Sequence, residues 1–160
     1  MNAGVLPIAI LFFALGLGLS FAAPRAAMTG VAAMAVTALL VSLLPFAHRL
    51  LEPVFVGLWL SVIASVCLAY LPHRLTPTLT FAAGVNAGLW AGALAAVSAM
   101  RLSMIAVIPL VLSVVVGRKI VSWGQPIAVK VVGSWVIAVA TLAIFVSLTP
   151  IPGYKQDHMQ

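Results

Sequence analysis

Residues 81–100 have the sequence FAAGVNAGLWAGALAAVSAM, an apolar segment that contains three glycines at a spacing of four and one asparagine. In water, a glycine weakens a helix interior by about 1 kcal/mol relative to alanine, and a buried amide needs a hydrogen-bond partner. The role of Gly84, Gly88, Gly92 and Asn86 therefore depends on the solvent around this segment. The composition of the whole chain indicates which solvent that is.

The composition is that of a membrane protein. Of the 160 residues, 64% are hydrophobic and 6% are charged, whereas a soluble domain has about 25% charged residues. In a bilayer, backbone groups must be satisfied within helices or a closed barrel, and the continuous apolar runs lack the alternation of a barrel strand. The chain is therefore predicted to be an all-α integral membrane protein whose surroundings are the lipid bilayer.

Six apolar runs are close to the length of about 20 residues that crosses a bilayer as a helix. They cover residues 3–23, 26–46, 54–71, 79–100, 102–123 and 126–148. We expect one polytopic domain, residues 1–149, and a short polar tail, residues 150–160. The fifth run contains Pro109 and soon meets a basic pair, so five spans is the alternative.

Two boundaries follow from length. Residues 79–116 would form a single helix of about 57 Å, far longer than a bilayer is thick, so we expect a break near Arg101. The first run has no basic residue before it, and it is longer than the 7 to 15 apolar residues of a signal peptide. We therefore expect it to be a span rather than a cleaved leader.

The net charge of +6 comes from basic residues that stand at the ends of apolar runs. This distribution is typical of membrane anchors and not of a nucleic-acid-binding face, so no nucleic acid is expected as a partner. One side of the predicted bundle carries Arg25, Arg74, Arg118, Lys119 and Lys130, and the other carries Arg49, Arg101 and Lys155. The positive-inside rule then places both termini outside the cytoplasm, and we expect a bacterial inner (plasma) membrane.

The two halves of the chain resemble one another weakly. VGLW at residues 56–59 aligns with VGSW at 132–135, and the same shift pairs Arg25 with Arg101 and Gly16 with Gly92. Each half would hold three spans, which predicts a 3+3 inverted repeat of the kind found in many transporters. The total number of identities is close to chance for a chain this rich in Ala, Val and Leu, so unrelated halves are the alternative.

Residues for enzymatic chemistry are scarce. Glu52 and Asp157 are the only acids, and Glu52 is expected to form a solvated ion pair with Arg49. The lone Cys67 is expected to be a small buried hydrophobe, and no histidine lies within an apolar run. We therefore predict no catalytic residues, no metal site and no cofactor.

On a helical wheel, Gly84, Gly88 and Gly92 lie within about 80° of one another. Such a face allows close helix packing in lipid. We expect it to meet span three, where Gly57, Ser61 and Ser65 have the same spacing of four.

Asn86 and Trp90 lie nearly opposite the glycines on this wheel. Because an amide facing lipid would be unsatisfied, this side must also meet protein or a polar cavity, which places span four in the middle of the bundle. Trp90 lies inside its span, whereas Trp59, Trp123 and Trp135 are interpreted as interfacial residues near span ends.

Asn86, Trp90 and Lys130 are the candidate solute-binding or pore-lining residues. They favour a transporter, or the membrane subunit of a transport complex, for a small neutral or weakly anionic solute. The alternative is a non-catalytic structural or assembly subunit, associated with partner membrane subunits or with further copies of itself. The two differ in whether Asn86 and Trp90 face a cavity or a packed helix.

Overall fold

The computed structural model describes residues 5–45, 48–71, 75–98 and 108–149. Helices make up 88% of these residues and no strand occurs among them, which confirms the all-α prediction. The α-helices of the described residues are α1 (Val5–Leu19), α2 (Pro24–Ser42), α3 (Leu51–Cys67), α4 (Pro77–Val97), α5 (Ile108–Ser122) and α6 (Pro126–Leu148). Short 3-10 turns precede α3 at His48–Leu50 and follow it at Leu68–Tyr70.

Four of these helices are long and apolar enough to cross a membrane: α2, α3 with its extension to Tyr70, α4 and α6. The described parts of α1 and α5 have 15 residues each. All six lie at the positions of the predicted apolar runs. The break expected near Arg101 and the predicted polar tail fall outside the described residues.

Proline and glycine set several helix boundaries. Helices α2, α4 and α6 begin at Pro24, Pro77 and Pro126, where a missing N–H costs no hydrogen bond. The side chain of Thr76 accepts a hydrogen bond from the Leu79 backbone N–H at 3.3 Å and caps α4. Gly124 has φ 77°, the left-handed conformation that reverses the chain between α5 and α6.

The innermost helix is α1. It packs chiefly on α5 and α3 and also contacts α4 and α6, and Leu11, Leu15 and Leu19 are fully buried. Helix α4 has α2 on one side and α3 on the other, so it has protein neighbours on two sides as expected, but α1 and not α4 occupies the centre.

The helices alternate in direction, so the bundle has two ends. At one end, an Arg118 Nη2 donates to the Ala22 carbonyl oxygen at 2.8 Å, and the Tyr70 hydroxyl donates to the Lys130 carbonyl oxygen at 2.5 Å. We call this end, which also carries Arg25 and Lys119, the basic end. The opposite end carries the first turn of α3 and the last turns of α2, α4 and α6.

Candidate functional site

The glycine face of α4 packs directly on α2. A Cβ atom at Gly88 would lie 2.5 Å from the Met34 carbonyl oxygen, and one at Gly92 would lie 2.6 Å from the Ala38 carbonyl oxygen. Gly84 lies against the backbone of Gly30. The two backbones therefore approach so closely that no side chain fits between them.

The expectation that this glycine face meets α3 is wrong. Its partner is a row on α2 at the same spacing, Gly30, Met34 and Ala38. The reason lies on the opposite face of α4, where the half-buried Asn86 amide needs a hydrogen-bond partner. Ser61 of α3 provides this partner, so α3 takes the face of α4 that carries Asn86 and α2 packs on the glycines.

Asn86 and Trp90 lie together at the contact between α4 and α3. The Asn86 Nδ2 donates to the Ser61 Oγ at 2.6 Å, and the Trp90 Nε1 donates to the Asn86 Oδ1 at 3.2 Å. The Trp90 ring covers Gly57, where an added Cβ would lie 2.7 Å from the ring atom Cε3. Both polar side chains, half-buried, thus face a packed helix.

Lys130, the third candidate, lies far along the chain from this pair, at the basic end. Its ammonium lies 5.8 Å from the centroid of the Tyr70 ring, within the range of a cation–π contact.

Ser65, expected in the same row as Ser61, instead lies against Gly18 of α1. Its buried hydroxyl has no hydrogen-bond partner among the described residues. The predicted site residues are therefore divided among four contacts: α4 with α2, α4 with α3, Lys130 with Tyr70, and Ser65 with Gly18.

The tryptophans differ from the sequence interpretation in two cases. Trp123 lies at the end of α5 and is 67% exposed, as expected of an interfacial residue. Trp59 and Trp135 instead lie in the middle of α3 and α6. Trp59 is 5% exposed and its indole N–H has no partner among the described residues, whereas Trp135 is 72% exposed.

A partly enclosed cavity of about 400 Å³ lies at the opposite end, between α1, α3, α4 and α6. Glu52, Ser98 and Ser147 supply its polar groups, and Phe55 and aliphatic side chains supply its walls. Sequence reasoning missed this cavity, because its walls come from four helices. The one local signal is the spacing of Glu52 and Phe55, three residues apart in the first turns of α3.

Two minor expectations also fail. Among the described residues Glu52 has no ion-pair partner, and Arg49 is exposed to solvent without pairing to it. Cys67 is exposed and not buried, because it lies on the outer side of α3 at its last turn. Glu52 thus lines the cavity as an exposed residue, and no cationic group of the described residues lies within 4.0 Å of its carboxylate.

Comparison of the chain with known protein families, with curated proteins and with solved structures finds no match. The geometry of the described residues is therefore the basis for any functional conclusion.

Proposed function

We propose that this chain is an integral membrane protein with six spans in a single domain. The four helices of membrane-spanning length support this, and α1 and α5 supply the other two spans. The grouping of Arg25, Arg118, Lys119 and Lys130 at one end supports an orientation in which this basic end is cytoplasmic. Both termini then lie on the other side of a bacterial inner membrane.

Within that frame, we propose that the chain is a non-catalytic subunit that assembles with other membrane helices through α6. The observation that carries this is Trp135, which is 72% exposed in the middle of α6. Tryptophan favours the membrane–water interface over the hydrocarbon core, and its indole N–H needs an acceptor that lipid tails do not provide. A second protein surface at this depth provides both shelter and acceptors.

The surroundings of Trp135 suit such a contact. An apolar groove of about 420 Å³ runs beside it between α1, α5 and α6, with Phe13 and Pro109 in its walls. Only 11% of the most apolar stretch of α6 is buried. Tryptophan is among the residues enriched at the energetic hot spots of interfaces.

The pairing of Asn86 and Trp90 with α3 also supports the assembly role. Both side chains lie well inside the predicted span 79–100, and they form hydrogen bonds with Ser61 and with each other. Little capacity remains at this contact for holding a solute.

Replacing Trp135 with leucine is expected to weaken assembly about thirtyfold or more, because a hot-spot tryptophan contributes at least about 2 kcal/mol. The measurement is light scattering after chromatography in a mild detergent, with identification of co-purifying proteins by mass spectrometry. These two readouts also separate assembly with further copies from assembly with partner subunits.

The control is Trp123→Leu, which removes an equally exposed tryptophan from a helix end. It is expected to leave the assembly unchanged. A wild-type chain that is monomeric and carries no co-purifying protein would overturn the assembly role.

A second candidate is the transporter or transport subunit, now centred on the cavity at the opposite end instead of on Asn86. A cavity of about 400 Å³ is large enough for a small solute.

The pairing of the helices offers some support for the 3+3 inverted repeat. Gly92 on α4 contacts α2 and its counterpart Gly16 on α1 contacts α5, which are equivalent pairs in such a repeat. The equivalence is incomplete, because α1 packs on α3 while α4 and α6 make no extensive contact.

Flux from sealed proteoliposomes tests the second candidate. Vesicles are loaded with a mixture of small neutral and weakly anionic solutes, and release is followed by mass spectrometry against protein-free vesicles. Release of any solute above that background would support transport, and release equal to the background for all of them would contradict it.

A further inference from the structure

We propose that the cavity at the opposite end binds a small organic cation with an apolar body, its ammonium group beside Glu52 and its body against Phe55. The cavity volume of about 400 Å³ lies within the range of about 300 to 1,000 Å³ of small-molecule sites. The proposal depends on the cavity alone, and it holds whether the chain assembles or transports.

The wall of the cavity carries a negative charge. Glu52 is the only acidic residue among the described residues, and it lies in the cavity wall. It has no ion-pair partner among them, and its position in the first turn of α3 favours a negative charge through the helix dipole. A carboxylate that no protein cation neutralises attracts a cationic ligand, and because Glu52 is exposed, this attraction has the moderate strength of a partly solvated charge pair.

An aromatic side chain, Phe55, forms part of the cavity wall. Phe55 lies one helical turn from Glu52, so its ring and the carboxylate project from the same face of α3. The ring meets Trp59 edge to face, with centroids 6.0 Å apart and planes at 76°. Because Trp59 is buried, it holds Phe55 in place, and an aromatic face held in this way attracts an organic cation.

The polar groups of the cavity wall differ in whether they donate or accept hydrogen bonds. A carboxylate accepts hydrogen bonds and donates none. The Ser147 hydroxyl already donates to the Ile144 carbonyl oxygen at 2.8 Å, so its free lone pairs can only accept. Two of the three polar side chains of the wall therefore present acceptors, and the third, Ser98, can accept as well as donate. This set matches an ammonium ligand better than a carboxylate or phosphate.

The remaining walls fix the size of the apolar body. Leu94 from α4, Leu148 from α6 and Pro7 from α1 supply apolar surface to the same cavity. A ligand of the size of a phenylethylammonium ion combines a charged group and an apolar ring at a suitable separation. A larger or more polar cation would leave part of this apolar surface uncovered.

The experiment is isothermal titration of the full chain in mild detergent with three probes of similar shape: 2-phenylethylammonium, 2-phenylethanol and phenylacetate. We expect the cation to bind at least tenfold more tightly than the alcohol, and phenylacetate to bind most weakly. Glu52→Gln, which keeps the side-chain size, is expected to weaken binding of the cation at least tenfold and to leave the alcohol unaffected.

Matched variants make the result interpretable. Asp157→Asn removes the only other carboxylate side chain of the chain and is expected to bind the cation as the wild type does. Phe55→Leu is expected to weaken binding of the cation, which should still bind more tightly than the alcohol. A thermal unfolding curve confirms that each variant is folded. Equal binding of the cation and the alcohol, full affinity in Glu52→Gln, or no binding of the cation to the wild type would each overturn the proposal.

Discussion

Replacing Gly88 with leucine is expected to lower the free energy of unfolding by about 3 kcal/mol, at the upper end of what overpacking a core costs. The new side chain would collide with the backbone of α2 at Met34 and Ala38, and backbone atoms cannot rotate away as a flexible side chain can. Leucine favours a helix over glycine by nearly 1 kcal/mol. The packing collision therefore has to outweigh a gain in helix propensity, and the sign of the measured change identifies the dominant effect.

Reversible unfolding in detergent, followed by tryptophan fluorescence, measures this change. The control is Ala82→Leu, which adds a similar bulk to an exposed position of the same helix and is expected to change stability by less than about 0.5 kcal/mol. Gly84→Ala should act in the same direction as Gly88→Leu, since even a methyl group at Gly84 meets the Gly30 backbone. Unchanged or increased stability in Gly88→Leu would show that α2 and α4 do not approach as described.

Replacing Asn86 with leucine is expected to cost about 2 kcal/mol, because two hydrogen bonds are lost at once. The Trp90 indole N–H loses its acceptor and the Ser61 hydroxyl loses its donor. A half-buried polar group left without a partner costs about 1 to 3 kcal/mol. The substitution should also loosen α3 from α4 without affecting the contact between α4 and α2.

A double-mutant cycle with Ser61→Ala isolates the bond between the two helices. We expect a coupling of about 0.6 to 1.7 kcal/mol, the range measured for hydrogen bonds between membrane helices. Leu60, exposed beside Ser61, provides the control cycle through Leu60→Ala, for which a coupling near zero is expected. If Asn86→Leu kept full stability but abolished solute flux, Asn86 would be a solute ligand and not a helix contact.

The positions of the helices could be predicted closely from the sequence. Continuous apolar runs with few charges favour helices at membrane length, and Pro24, Pro77 and Pro126 mark where three of them begin. Burial within the bundle could not be predicted in this way, because apolar residues face both lipid and the core. This is why the sequence predicts α4 at the centre whereas the structure has α1 there, and why the sequence does not distinguish the buried Trp59 from the exposed Trp135.

The candidate site was predictable in part. The helical wheel separates the glycines of α4 from Asn86 and Trp90, and the structure keeps that division, with α2 on one face and α3 on the other. Which helix packs on which face of α4 was not predictable, since α2 and α3 each carry a row of residues at a spacing of four that begins with a glycine. The cavity beside Glu52 depends on how four helices converge, and no local pattern in the sequence records that.

The hydrogen bond from Arg118 to the Ala22 carbonyl oxygen joins residues 96 positions apart. At a synthesis rate of about 5 to 20 residues per second, Arg118 emerges roughly 5 to 20 seconds after Ala22. During this interval the small-residue surface of α1 at Gly16, which later contacts Ser113, has no α5 to pack against. Among the described helices, the one that ends most buried is thus made before the others and is one of the last to be enclosed.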